Sequence, residues 1–257
     1  MLESTFIFLN GIGESTERRL WDQGIVDWYS FLDCSLLPGI APARKHLYDR
    51  EVAAAIDHYQ SGNWRFFARC LKSREHWRLF QTLRSRTVFL DIETTGEPAG
   101  MGEVTVVGLY ANGTLTTLVQ GETLTEERLC KEFSRYSLLV TFFGSGFDLP
   151  YLHATFPRLN LEQAHFDLCF AARRLGLRGG LKHIELEVGL SRPSEIQGFS
   201  GWDAVHLWQA WKSGNAEAKR LLCVYNEADV RNLEPLAEYL FGQLISRYGP
   251  VQIQAIN

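Results

Sequence analysis

The sequence predicts an α/β fold with a small helical region ahead of it, on three observations. From Thr87 onward, short apolar runs rich in β-branched residues alternate with helical patterns, the order expected of a sheet flanked by helices. Before Thr87 the apolar residues fall at helical spacing between glycine and proline breaks. The chain has 257 residues, 46% of them hydrophobic, enough for one large domain or one domain plus a small one with a full core.

In the amino-terminal part, Phe6–Leu9 leads into the Gly11-Ile12-Gly13 turn. That turn opens a short helix over 14–23, and Gly24 is placed to end it. Trp28, Phe31 and Leu32 mark a second short helix, and Pro38 to Pro42 is a break. An amphipathic helix is predicted over 43–59, stopped near Ser61-Gly62. The stretch 64–84 reads as a basic helix with interleaved aromatic residues, and a domain boundary is placed near 84–86.

Beyond that boundary, the first strand is predicted over 87–93. Strands over 104–110 and 114–119 flank Asn112-Gly113, a strong hairpin signal. A helix over 125–133 follows, with Thr125 as N-cap. A buried strand over 138–143 runs into Gly144-Ser145-Gly146, and a short helix over 147–154 carries Asp148. A short strand edge is expected at 166–168, then helices over 169–175 and 181–188 around Gly179-Gly180. The last two helices are predicted over 201–212 and 216–240, the second with a kink at Pro235. The predicted organisation is therefore 1–84 as a helical leader, 85–242 as the main domain and 243–257 as a carboxy-terminal tail.

Formal net charge is −4, but it is unevenly spread: residues 1–86 carry +2 and residues 87–257 carry −6. An acidic half that had to touch phosphates would need metal ions or local basic residues. The five cysteines are scattered, with no C-x-x-C pair, so neither a zinc site nor a disulfide framework is indicated. A reducing cytoplasm is the simplest setting for them. The chain shows no signal-peptide pattern and no apolar run of membrane-spanning length.

Four carboxylates stand out. Asp91 and Glu93 lie two apart at the end of the apolar run Val88–Leu90, so on a strand they project to one side. Asp229 follows Tyr225 by four residues, which places both on one helix face. Asp148 is a weak signal by itself, because Asp is common near helix starts, and gains its value from the combination. Unpaired carboxylates are rarely buried together, and divalent cations are the natural compensation where a fold gathers them. The plain alternatives are solvated acids at a strand end and a core tyrosine.

In order and spacing, Asp91-Ile92-Glu93-Thr94-Thr95-Gly96, Phe147-Asp148 and Tyr225-x-x-x-Asp229 resemble the DEDD exonuclease superfamily, and the tyrosine its DEDDy subgroup. Phe147-Asp148-Leu149-Pro150, Arg178-Gly179-Gly180-Leu181-Lys182 and Tyr225–Val230 further resemble the YprB-type ribonuclease H-like domain. The resemblance spans 77–240 and implies a ribonuclease H-like fold, a mixed five-stranded sheet between helices. It implies a metal-dependent nuclease, a 3′–5′ exonuclease acting on single-stranded DNA or RNA. Asp91, Glu93, Asp148 and Asp229 would hold two divalent cations, Mg²⁺ or Mn²⁺, and Tyr225 would orient the attacking water. One departure is the run Val140–Gly146, which lacks the Asn that family members often carry before the third acid.

Asp167 is expected either to support the site or to cap the following helix. Thr94, Thr95, Arg178 and Lys182 are the expected nucleic-acid contacts, the last two beside a glycine turn that admits a phosphate or is simply a flexible loop. The Gly11-Ile12-Gly13 turn resembles half of a helix-hairpin-helix element, with packing as the plain alternative. In the basic stretch the aromatics are expected in the core and the arginines toward phosphate. The competing functional reading is a nucleic-acid-binding module that keeps the exonuclease fold without catalysis.

Overall fold

The computed structural model describes residues 1–37 and 39–251. Pro38 of the expected break, and residues 252–257 of the expected tail, lie outside the described residues.

Five strands form one mixed sheet: β1 (Thr87–Thr94), β2 (Val104–Ala111), β3 (Thr114–Val119), β4 (Leu138–Thr141) and β5 (Ala164–Asp167). Their order is β3-β2-β1-β4-β5, with β1–β2 and β2–β3 antiparallel and β1–β4 and β4–β5 parallel. β1 is central and buried on both faces, which is why its sequence is almost continuously apolar. Its residues alternate between two cores. Val88, Leu90 and Ile92 pack with Leu129, Phe133 and Leu152, and Phe89 packs with Val230, Leu233 and Leu240 on the other face. Asp91 and Glu93 share the parity of Phe89 and so emerge on that second face.

The leader contributes α1 (Glu14–Asp22), α2 (Trp28–Asp33), α3 (Pro42–Gln60) and α4 (Trp64–Cys70). The basic stretch is not one helix. α4 stops where Leu71 and Lys72 turn extended, and two 3-10 helices follow at Ser73–Leu79 and Arg84–Arg86. Its aromatics enter the core: Phe80 lies 5.7 Å from Phe166 and 5.4 Å from Phe241, centroid to centroid. Its arginines largely meet carboxylates rather than open solvent. Arg65 and Arg69 pair with Glu162, Arg84 with Glu234 and Glu238, and Arg78 is fully buried between Glu17 and Glu75. The Gly11-Ile12-Gly13 turn packs as well, with Ile12 buried and the Tyr48 hydroxyl donating to the Asn10 carbonyl at 2.7 Å.

The remaining helices are α5 (Glu126–Phe133), α6 (Asp148–Thr155), α7 (Leu168–Leu175), α8 (Leu181–Glu187), α9 (Gly201–Lys212) and α10 (Ala216–Tyr248). β5 begins two residues before the expected strand edge. α10 runs through Pro235 and continues to Tyr248, eight residues past its predicted end, because Leu244 and Ile245 still have core to cover. Among the described residues, no helix is long and apolar enough to cross a membrane.

Candidate functional site

The acids converge where β1, α6 and α10 meet. Carboxylate oxygens of Asp91, Glu93 and Asp229 all lie within 4.8 Å of one another. Asp148, at the start of α6, is outside that tight triad, but its charge acts on both Asp91 and Glu93. It is itself buried and accepts the backbone N–H of Ile92. Tyr225 and Asp229 sit one turn apart on the α10 face turned to β1, and Asn226 stands between them.

Asn226 has a role that sequence spacing did not mark. It is fully buried, and its Nδ2 donates to the Asp91 carboxylate at 2.9 Å, with the Asp91 carbonyl at 3.3 Å. Asp91 pairs with Gly108 across β1–β2, and a Cβ on Gly108 would stand 2.2 Å from the Asn226 Oδ1. A bare glycine on β2 is therefore what admits the side chain that holds Asp91.

Two cations face the acids. The Arg192 guanidinium pairs with Asp229 and is oriented by Glu185, at 2.6 and 2.8 Å. Glu185 is itself buried and accepts from Asn232 at 3.1 Å. Lys182 donates to the Tyr225 hydroxyl at 2.7 Å and to the Phe199 carbonyl. Arg192 lies in a loop that matches no motif, so no local signal marked it.

These surroundings set the protonation. Burial, then the charges of Asp229, Glu93 and Asp148, hold Asp91 well above the ordinary carboxylate range. Burial and Asp229 do the same to Glu93. Burial pushes Asp148 up to about 7. Asp229 is also raised by burial, against the opposing pull of Arg192. Burial, then Asp229, raises the Tyr225 phenol above its usual value, so it keeps its proton. A buried set of oxygen donors that resists carrying its charge is chemically suited to hard divalent cations such as Mg²⁺ or Mn²⁺.

The other expected residues fall as follows. Thr94 lines a pocket of about 320 Å³ together with Asp91, Glu93, Phe147, Trp202 and Asp229. The Thr95 hydroxyl accepts the Glu103 N–H at 3.0 Å and closes the loop after β1. Arg178 is exposed just before α8. Asp167 is not one of the triad, though its charge acts on Asp148. Its carboxylate caps α7 through the Cys169 N–H and accepts from Phe143 N–H, Ser145 N–H and the Ser145 hydroxyl, at 2.7 to 3.1 Å. It fixes the loop that delivers Asp148.

A family model of the RNase_H superfamily, RNase_H_2, matches residues 88–241. The family B DNA polymerase of the hyperthermophilic archaeon Pyrobaculum calidifontis shares the fold at 19% identity and a TM-score of 0.53, over 63% of this chain and 25% of the polymerase chain. The chain thus spans about a quarter of that polymerase's length. Brucella melitensis NrnC aligns at 22% identity and a TM-score of 0.46, over 67% of this chain and 80% of NrnC. The Aedes aegypti Nibbler EXO domain aligns at 14% identity and a TM-score of 0.45, over 69% of this chain and 88% of that domain. No curated protein sequence matches.

Proposed function

We propose, for a chain that belongs to the RNase H superfamily over residues 88–241, that it is a metal-dependent nuclease, a 3′–5′ exonuclease of the DEDDy type acting on single-stranded DNA or RNA. The observation that carries this reading is the convergence of half-buried Asp91 with buried Glu93 and Asp229 within 4.8 Å, with Tyr225 one turn from Asp229. The likeness to the YprB-type domain belongs to the same reading. So does the division into a helical leader at 1–84 and a catalytic unit at 85–242; of the expected tail at 243–257, residues 243–248 belong to α10. The five cysteines are unpaired, which suits a reducing cytoplasm.

Asp91, Glu93, Asp148 and Asp229 are the proposed ligands of two divalent cations, Mg²⁺ or Mn²⁺. When bound, such a pair would supply activation of the attacking water and charge stabilisation at the leaving oxygen of a phosphodiester. The chain's own groups do the rest. Asn226 holds the Asp91 carboxylate in place. Tyr225 accepts a hydrogen bond from Lys182, so its own O–H is left to point elsewhere and orient a water or a phosphate oxygen. Thr94, Thr95, Arg178 and Lys182 are the proposed contacts to nucleic acid, and Asp167 supports the site through the loop before Asp148.

The direct test is cleavage of end-labelled single-stranded DNA and RNA with Mg²⁺, Mn²⁺ or chelator, beside Asp91→Ala and Asp229→Ala. A metal-dependent ladder from the 3′ end, lost in both variants, is the expected result. Undiminished cleavage by both folded variants would remove the assignment. A binding module without catalysis is the second reading. Arg192 seated on Asp229 favours it, and strand binding without cleavage in any metal would establish it.

A further inference from the structure

Phe143 adopts a backbone conformation that its residue type rarely accepts. With φ at 64°, it is one of two non-glycine residues in the left-handed region among the described residues, and the other, Asn112, lies in a hairpin turn that favours it. A bulky aromatic in this region is strained, and such strain gathers at functional sites. Several contacts enforce it. Asp167 accepts the Phe143 N–H at 2.9 Å, and the Phe143 carbonyl accepts from Gly146 and Phe147 at 3.0 and 3.1 Å. The ring lies so close over Gly146 that a Cβ there would stand 2.5 Å from it.

Core packing does not account for this arrangement, because Phe143 is 41% exposed. Its neighbour Phe170, on α7, is 46% exposed with its ring centroid 6.2 Å away. The Arg173 guanidinium stands 6.0 Å from the Phe143 ring and 5.4 Å from that of Phe170. Two open rings and a cation thus form one platform. It adjoins the acid cleft through Phe147, which lines the cleft and whose N–H bonds the Phe143 carbonyl at 3.1 Å, just before Asp148.

We propose that Phe143, Phe170 and Arg173 form a base-stacking subsite for single-stranded nucleic acid entering the acid cleft. The proposal rests on the nuclease reading above. Aromatic faces stack on any base, and an adjacent guanidinium offsets a backbone phosphate. The cleft itself is acidic and repels that backbone, so a strand needs a basic, aromatic hold beside it. The platform supplies this hold without reading sequence.

The test is fluorescence anisotropy of the full chain with labelled oligothymidylate, oligouridylate and an abasic strand of equal length. Calcium serves as the oxygen-preferring cation, and strand integrity is checked after each titration. Phe143→Asn removes the ring while suiting the left-handed backbone, and Phe170→Ala removes an exposed one. Each is expected to weaken binding of the base-bearing strands about 10-fold, as for one lost stack, and to leave the abasic strand unchanged. Arg173→Gln is expected to weaken all three. Folded aromatic variants that bind like the wild type would overturn the platform and leave the nuclease reading standing. Wild-type protein that binds based and abasic strands equally would do the same. Failure to bind any strand would remove both.

Discussion

Asn226 ties one carboxylate of the site to the helix that carries another. Its amide holds Asp91 from α10, and it has room to do so only because residue 108 is glycine. Residues that orient ligands in this way tune metal affinity without touching the metal. Asn226→Ala is therefore expected to keep the fold and to lower divalent-cation affinity by about 10- to 100-fold, as removal of such supporting groups does. Isothermal titration with Mn²⁺ reads this, and an unchanged affinity would show that Asp91 is held by the strand alone. The sequence displayed Asn226 inside the Tyr225–Asp229 motif but gave it no role, because its partner is 135 residues away. Arg192 was less visible still. Its value comes from Glu185 and Asp229, and no spacing joins the three.

α10 is the element on which the site depends. One face of its first half gives Tyr225, Asn226 and Asp229 to β1, and its second half buries Leu233, Leu236, Leu240 and Leu244 in the core shared with the leader. The helix that supplies Asp229 is thus anchored along its second half. The leader contributes in turn through the segment around Arg78, whose guanidinium lies 2.8 Å from Glu17 and 2.9 Å from Glu75, all three essentially without solvent. Removing one member of a buried ionic group strands the others, which costs about 3–5 kcal/mol. Arg78→Met is expected to destabilise the protein by roughly that amount, since buried Glu17 loses its cation while Glu75 keeps Arg74 and Arg174. Urea denaturation measures it, and a loss below about 1 kcal/mol would mean that the carboxylates take up protons or water instead. From sequence, the arginines of this stretch looked available to phosphate. Their pairing with Glu14, Glu75, Glu162, Glu234 and Glu238 follows from tertiary placement alone.

For the molecule as a whole, the gathered acids couple stability to pH and to metal. Burial raises Asp148 from its ordinary 3.8 to about 7, and Asp91 and Glu93 are also raised. The folded state therefore retains protons that the unfolded chain releases, and metal-free stability falls as pH rises from the usual carboxylate range through about 7. Divalent cations favour the deprotonated acids, so their stabilising effect should grow over the same interval. The rise in melting temperature on replacing chelator with Mg²⁺ or Mn²⁺ is expected to be larger near pH 8 than near pH 6. Equal shifts at the two pH values would show that the acids are not protonated in the metal-free protein.

The sequence by itself determined the alternation of strands and helices, the Asn112-Gly113 hairpin and the projection of Asp91 and Glu93 from one side of a strand. It also set Tyr225 and Asp229 on one face of a helix. Each of these follows from local periodicity or turn chemistry, which a few neighbouring residues specify. Only the tertiary structure decided that Asp91, Glu93 and Asp229 lie within 4.8 Å, that Arg192 and Lys182 answer them, and that Gly108 makes room for Asn226. It also decided that the leader shares a core with the sheet. Those contacts join residues far apart in the chain, and their energies come from burial and from opposed charges, which exist only once the chain has closed on itself.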